Sequence, residues 1–229
     1  MRHTLLLLFL FSLPSYGGEP LRVAVAANFR ATLQSINAEY EQAGDQRVVI
    51  SSASTGVLAT QILHGAPFDL FLAADAAAPQ RLFNERGGPS VPTCYAVGRL
   101  ALAGGQLTAL AAPENSLAIA NPETAPYGRA ALSVLQRAEF ESGGQRKLVR
   151  GNNVVQALQF FASGAVDLAL LPATIAPGDA ASVPAQWHAP IEQHLLLLRD
   201  SPRARSYLKW LRSDRVRSLI EDAGYEPCP

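Results

Sequence analysis

Charge, histidine and cysteine are all scarce in this chain. Only 17% of its 229 residues are charged, and 19 basic and 19 acidic residues cancel to a formal net charge of +0. That balance gives no electrostatic footing to nucleic acid or to an acidic membrane surface. His64, His188 and His194 lack ligand spacing and cysteine partners, so no zinc site is legible. There is no G-x-S-x-G elbow, and no pair of carboxylates stands out for acid–base work. An enzyme is therefore not expected. Beyond residue 18 no apolar run approaches a membrane span. The two cysteines, Cys94 and Cys228, are expected to form one disulfide in an oxidising compartment, stapling the C-terminus to mid-chain; two free thiols are the alternative.

What is present begins with a leader. Residues 1–18 combine a basic start (Arg2, His3), an apolar run over 5–13 and the small residues Ser15, Gly17 and Gly18. This is the pattern of a cleavable signal peptide, and it predicts an exported, periplasmic protein. No cysteine stands at the cleavage point, which argues against a lipid anchor. Hydrophobic content of 48% is ample for a core.

From Leu21 onward, strand and helix alternate. Apolar runs at 21–26, 48–52 and 68–74 read as buried strands, and Phe29, Leu33, Ile36 and Tyr40 fall on one face of an intervening helix. After a Gly/Pro-rich break at 87–92 and a strand at 95–103 the pattern starts again. Strands are predicted at 117–120, 147–150, 167–171 and 187–188, helices at 128–139 and from 154, then a returning strand at 194–198 and two closing helices. Such an order predicts an α/β fold of mostly parallel sheets flanked by helices, with ligands at the carboxyl ends of the strands. The second half repeats the architecture of the first without a clear residue-level repeat.

Four strand-to-helix turns fall at those carboxyl ends. In the first, Asn28 reads as an N-cap with Ala27 beside it; in the second, Thr55 supplies a hydroxyl with Ser54 one residue away, and Gly56 permits a close approach to the backbone. The other two are Tyr127-Gly128 and Asn153-Val154. Any one of these is an ordinary helix start. Four of them, two per half, place unpaired first-turn amides and positive helix ends around one space, and that is an anion seat. Asp75 reads as a cap for the helix carrying Leu82 and Phe83, and among these turns only Arg30, just past Asn28, offers a guanidinium.

The residues also carry a family resemblance. VAVAANF at 23–29, STGVLATQI at 54–62, GAPFDLFLAAD at 65–75, NPETAPYG at 121–128, NNVVQAL at 152–158 and GYEP at 224–227 resemble, in order and spacing, the periplasmic molybdate-binding proteins of ABC importers. The resemblance implies a two-lobed type II periplasmic binding fold: lobe I from 19–96 and 191–229, lobe II from 97–190, with a hinge near Val97 and Pro190. It implies an oxyanion held by Asn28 with Ala27 alongside, by Thr55 or Ser54, and by the amides of Tyr127 and Val154. No cofactor is implied beyond the ligand itself, molybdate or tungstate. The partner would be a membrane permease, and a monomer is expected. Pro172 stands where many members place a tyrosine, so Tyr127 is expected to supply a hydroxyl as well as an amide.

Donor-only chemistry separates the candidate ligands. Molybdate and tungstate are fully deprotonated at neutral pH, whereas the proton of phosphate would face another donor. Sulfate differs from them only in size, so it stays open as the ligand. A secreted hydrolase and a cytoplasmic sensor of the same fold are the rival classes; the missing catalytic signature counts against the first, and the leader and missing DNA-binding helices against the second.

Overall fold

Strand β1 (Leu21–Ala26) is buried along its length except at Arg22, as a central strand covered by helices on both faces must be. The structure is a computed structural model that describes residues 19–44 and 46–229; the expected leader at 1–18 lies outside the described residues. A 3-10 turn, Ala27–Phe29, carries β1 into helix α1 (Arg30–Gln42). Then come β2 (Val48–Ala53), α2 (Thr55–Leu63), β3 (Leu70–Leu72), α3 (Ala77–Arg86), β4 (Thr93–Gly98) and β5 (Leu100–Ala103). The second half runs β6 (Leu117–Ala120), α4 (Pro126–Leu135), β7 (Leu148–Gly151), α5 (Val154–Ala162), β8 (Leu168–Pro172) and β9 (Ala181–Ser182). The chain then closes with β10 (Ile191–Leu197), α6 (Pro202–Leu211) and α7 (Asp214–Asp222).

These strands form two five-stranded sheets, in the orders β2-β1-β3-β10-β4 and β7-β6-β8-β5-β9. The orders match position for position, so the fold is two-lobed with one architecture used twice. Both sheets are mixed, where mostly parallel ones are expected from the sequence. β1 runs parallel to β2 and β3, and β6 parallel to β7 and β8, but β10 and β5 run antiparallel to all their neighbours. The reason is their origin: each of these two strands enters its sheet from the other one, at the edge where the parallel strands end, and so descends against them.

Apolar side chains fill both faces of each sheet. Leu33, Ile36, Tyr207 and Val216 cover one face of the first sheet, and Leu58, Ile62 and Leu82 the other. Val134 and Phe140 pack one face of the second, Ala157 and Val166 its reverse. Three local expectations are corrected. The strand at 68–74 shrinks to Leu70–Leu72. The helix expected at 128–139 starts at Pro126 and stops at Leu135, and a 3-10 stretch, Ala138–Gln145, follows it. The strand expected at 187–188 is the end of a 3-10 turn, Ala185–Trp187. Trp187 turns its ring onto Phe140, 5.6 Å between centroids, and beneath Arg137 at 4.5 Å.

The C-terminal tail is fastened to β4 twice. Val97 and Glu226 exchange both backbone hydrogen bonds, at 2.8 and 2.9 Å, and Cys94 is disulfide-bonded to Cys228. The bridge spans 134 residues of sequence, so it removes a large loop entropy from the unfolded chain. Replacing both cysteines by serine is expected to cost on the order of 2–5 kcal/mol of stability in urea denaturation. The Val97–Glu226 pair still holds the tail, at the ~1 kcal/mol level typical of such bonds.

Candidate functional site

All four turns singled out in the sequence converge on one cavity. Ala27, Asn28, Ser54 and Thr55 line it from the first lobe, and Tyr127 and Val154 from the second; its free space is only about 10 Å³. No charged side chain, histidine or cysteine contributes to its wall. All six of these residues are buried, so a polar atom that faces the cavity has lost its water and needs a partner.

Each helix start leaves a different donor unspent. At α2 the N-cap position is Ser54, whose side chain makes no capping bond, and its hydroxyl is buried without a partner. Thr55, one residue on, accepts the Ala74 amide at 3.0 Å; its lone pair is fixed and its proton is left to donate. At α4, Pro126 occupies the first helical position and has no N–H, so Tyr127 carries the first available amide. At α5, Asn153 is a true N-cap whose Oδ1 accepts the amides of Val155 at 2.9 Å and Gln156 at 3.1 Å. The Val154 amide is the first-turn donor that this cap does not take.

Asn28 departs from expectation. It sits inside the 3-10 turn and makes no side-chain cap. Its Nδ2 donates instead to Gln193 Oε1 at 2.8 Å and to Tyr225 Oη at 3.2 Å, and the Tyr225 hydroxyl donates back to the Asn28 carbonyl at 2.9 Å. Buried partners with defined geometry outcompete a cap that solvent or a ligand could replace. What Asn28 presents at the first helix start is therefore its backbone. Tyr95 joins the cluster by donating to Gln193 Oε1 at 3.1 Å. Sequence reasoning missed Gln193, Tyr95 and Tyr225. Gln193 could have been found, since the alternation in β10 puts it on the same face as Ile191 and Leu195, a polar residue among apolar ones.

Two further expectations are revised by close contacts. Gly56 meets the opposite lobe, not a ligand: its amide donates to the Thr124 carbonyl at 2.8 Å, and a Cβ there would lie 3.1 Å from that backbone. The Tyr127 side chain runs to the strand crossing, where a Cβ on Gly98 would sit 1.9 Å from its hydroxyl oxygen. That hydroxyl and Gln193 Nε2 are both buried without partners. Across the cleft the lobes also meet through Arg129 and Asp75, 2.5 Å apart, and through Thr174, which donates to Tyr225 Oη at 3.3 Å. Asp75 accepts the Ala78 amide at 2.9 Å, as its expected capping role requires.

Three comparisons bear on this site. Residues 21–226 match the family described as bacterial extracellular solute-binding proteins. The molybdate-binding protein ModA of Azotobacter vinelandii is 34% identical over 226 residues, covering 90% of this chain and 89% of that protein. ModA of Rhodobacter capsulatus is 32% identical, covering 93% and 90%. In three dimensions, the periplasmic molybdate-binding protein of Azotobacter vinelandii superposes with a TM-score of 0.83 at 31% identity, covering 91% of this chain and all (100%) of that one.

Burial, and secondarily the neighbouring phenols, push the hydroxyl pKa of Tyr95 and Tyr127 far above the ordinary tyrosine value, and burial raises that of Tyr225. These groups thus remain neutral donors at any physiological pH. A raised folded-state pKa means that their contribution to stability is complete below the unfolded value of about 10 and is lost as pH rises from there through the higher folded-state value. In an alkaline titration, phenolate absorbance from these residues is expected only together with loss of circular dichroism, above about pH 10; a phenolate signal preceding unfolding would contradict the burial.

Proposed function

The chain belongs to the bacterial extracellular solute-binding protein family, and we propose that it captures molybdate, and tungstate with it, in the periplasm and delivers it to an ABC permease. The observation that carries this reading is the cavity wall itself: helix-start amides and the hydroxyls of Ser54 and Thr55, one of them unpartnered, with no charged group among them. The ModA relatives named above support the choice of oxyanion.

The physics of such a wall favours a dianion without protons. A hydrogen bond to a charged acceptor contributes about 1.5–3 kcal/mol, so about half a dozen donors offset a substantial dehydration cost. No carboxylate or histidine lines the cavity to offer an acceptor, so a protonated oxyanion would set its hydroxyl against a donor. Sulfate carries the same charge and no proton, so only the size of the closed site can exclude it. The solute-binding relatives support a protein that binds and does not catalyse. The lobes close on the ligand by rotating about the two chain crossings, at Arg99 and just before β10. The closed form, as a monomer, is what the permease reads.

Isothermal titration with molybdate, tungstate, sulfate and phosphate tests this directly. Tight one-to-one binding of the first two and none of the last two is expected, with affinity flat between about pH 6 and 9 because no group in the wall titrates there. Ser54→Ala and Thr55→Ala should each weaken molybdate binding by roughly ten- to a hundredfold. Tight sulfate binding would transfer the protein to another oxyanion, and no heat with any of the four would end the oxyanion reading.

Gly56→Val tests closure separately. Its methyl groups would meet the Thr124 backbone, so affinity should fall at least about tenfold, or ~1.4 kcal/mol, with the melting temperature of the ligand-free protein little changed. Small-angle scattering should show the variant failing to compact when molybdate is added.

A further inference from the structure

Beside this cavity lies a wider pocket of about 240 Å³ that both lobes line: Arg30 and Ser52 from the first, Asn152, Gln156 and Gln159 from the second. Ala27 lines this pocket and the cavity alike, so the two spaces share a wall. Arg30 is the pocket's one charged lining residue. It is the first residue of α1, one turn past Ala27, and it is exposed.

Helix electrostatics does not favour a cation there. The start of a helix carries positive partial charge, so a guanidinium at that position is electrostatically unfavourable, and the first turn of α1 contains no acidic residue to offset it. Among the described residues no carboxylate pairs with Arg30; several other arginines are likewise without one, but Arg30 alone of them lines this pocket between the lobes. A local arrangement that works against helix stability without a visible compensating contact points to a function.

We propose that Arg30 is the capture residue of the cleft. Its guanidinium draws the dianion to the mouth and forks onto two of its oxygens, before the neutral donors of the cavity take over as the lobes close. This inference rests on the oxyanion reading above and deepens it. The cavity wall is uncharged and the chain has a net charge of +0, so long-range attraction must come from a charge at the entrance. Once the ligand is enclosed, Arg30 stands outside the donor shell. It should therefore set the rate of association and leave dissociation nearly unchanged.

Stopped-flow association of molybdate with the wild type, Arg30→Gln and Arg30→Lys tests this at about 10 mM and about 1 M salt, where the screening length is roughly 30 Å and 3 Å. The expected result at low salt is a three- to tenfold lower kon for Arg30→Gln, by rough analogy with single-charge steering effects. The lysine variant should recover most of that loss, koff should stay within about twofold, and the difference should vanish at high salt. Equal kon at low salt, a deficit that persists at high salt, or a change confined to koff would each overturn the proposal. Equilibrium titration of the wild type separates the two levels: failure to bind molybdate there removes the oxyanion reading and this inference with it, whereas tight binding with unaltered Arg30→Gln kinetics removes the inference alone.

Discussion

A helix start has donors that its own backbone cannot satisfy, and this molecule points four such starts at one another. In water these amides are content. Enclosed between two lobes without an acceptor, each would cost about 1–3 kcal/mol. Closure is therefore unfavourable with an apolar or cationic occupant and favourable with a compact anion that can accept from all sides. On the proposed reading, filling the donor shell and closure are one event, since the groups that would bind are the groups that closure would otherwise leave stranded. A ligand shifts the open–closed equilibrium only as far as its affinities for the two states differ, and a site divided between lobes makes that difference as large as half its hydrogen bonds.

The rest of the fold serves to aim those four starts. The repeated β-α-β order gives each lobe two helices that begin at the upper ends of adjacent parallel strands, α1 and α2 in one and α4 and α5 in the other. Within the first lobe the aim is held by a buried polar cluster. Asn28 is tied to Gln193 on β10 and to Tyr225 on the C-terminal tail, and the tail is bound to β4 through Val97 and the Cys94–Cys228 disulfide. The backbone of Asn28 thus depends on residues 165 and 197 positions away in the chain. Tyr225 also accepts from Thr174 of the other lobe, so the cluster touches both lobes.

What was legible in the sequence was local, and what was not was distant. Strand and helix starts follow from short apolar runs and turn residues, so the positions of Asn28, Ser54, Thr55, Tyr127 and Val154 at strand ends could be read directly. The use to which a side chain is put depends on what packs against it. Asn28 reads as a cap by residue type, and only the approach of Gln193 and Tyr225 makes another bond better. Gly56 reads as an open approach to the backbone, but Thr124 of the opposite lobe fills that approach. The Tyr127 hydroxyl, expected in place of the one that Pro172 cannot supply, extends to Gly98 at the strand crossing. The direction of β5 and β10 is illegible for the same reason: they are antiparallel because of where they come from, which no window of sequence reveals.

Neutrality of the wall has a further consequence. A site that held a dianion with arginines would bind any dianion strongly and release it slowly, and its preference among anions would be set mainly by charge. Dipoles of amides and hydroxyls act over a shorter range and demand alignment, so discrimination passes to geometry and to the absence of protons on the ligand. The buried tyrosines follow the same logic, because phenols whose pKa is pushed up by burial hold the surrounding shell uncharged. Attraction at a distance is then the one task that dipoles perform poorly. A single unpaired guanidinium just outside the wall can perform it without entering the selection, so that rate and specificity rest on different residues and can be altered independently.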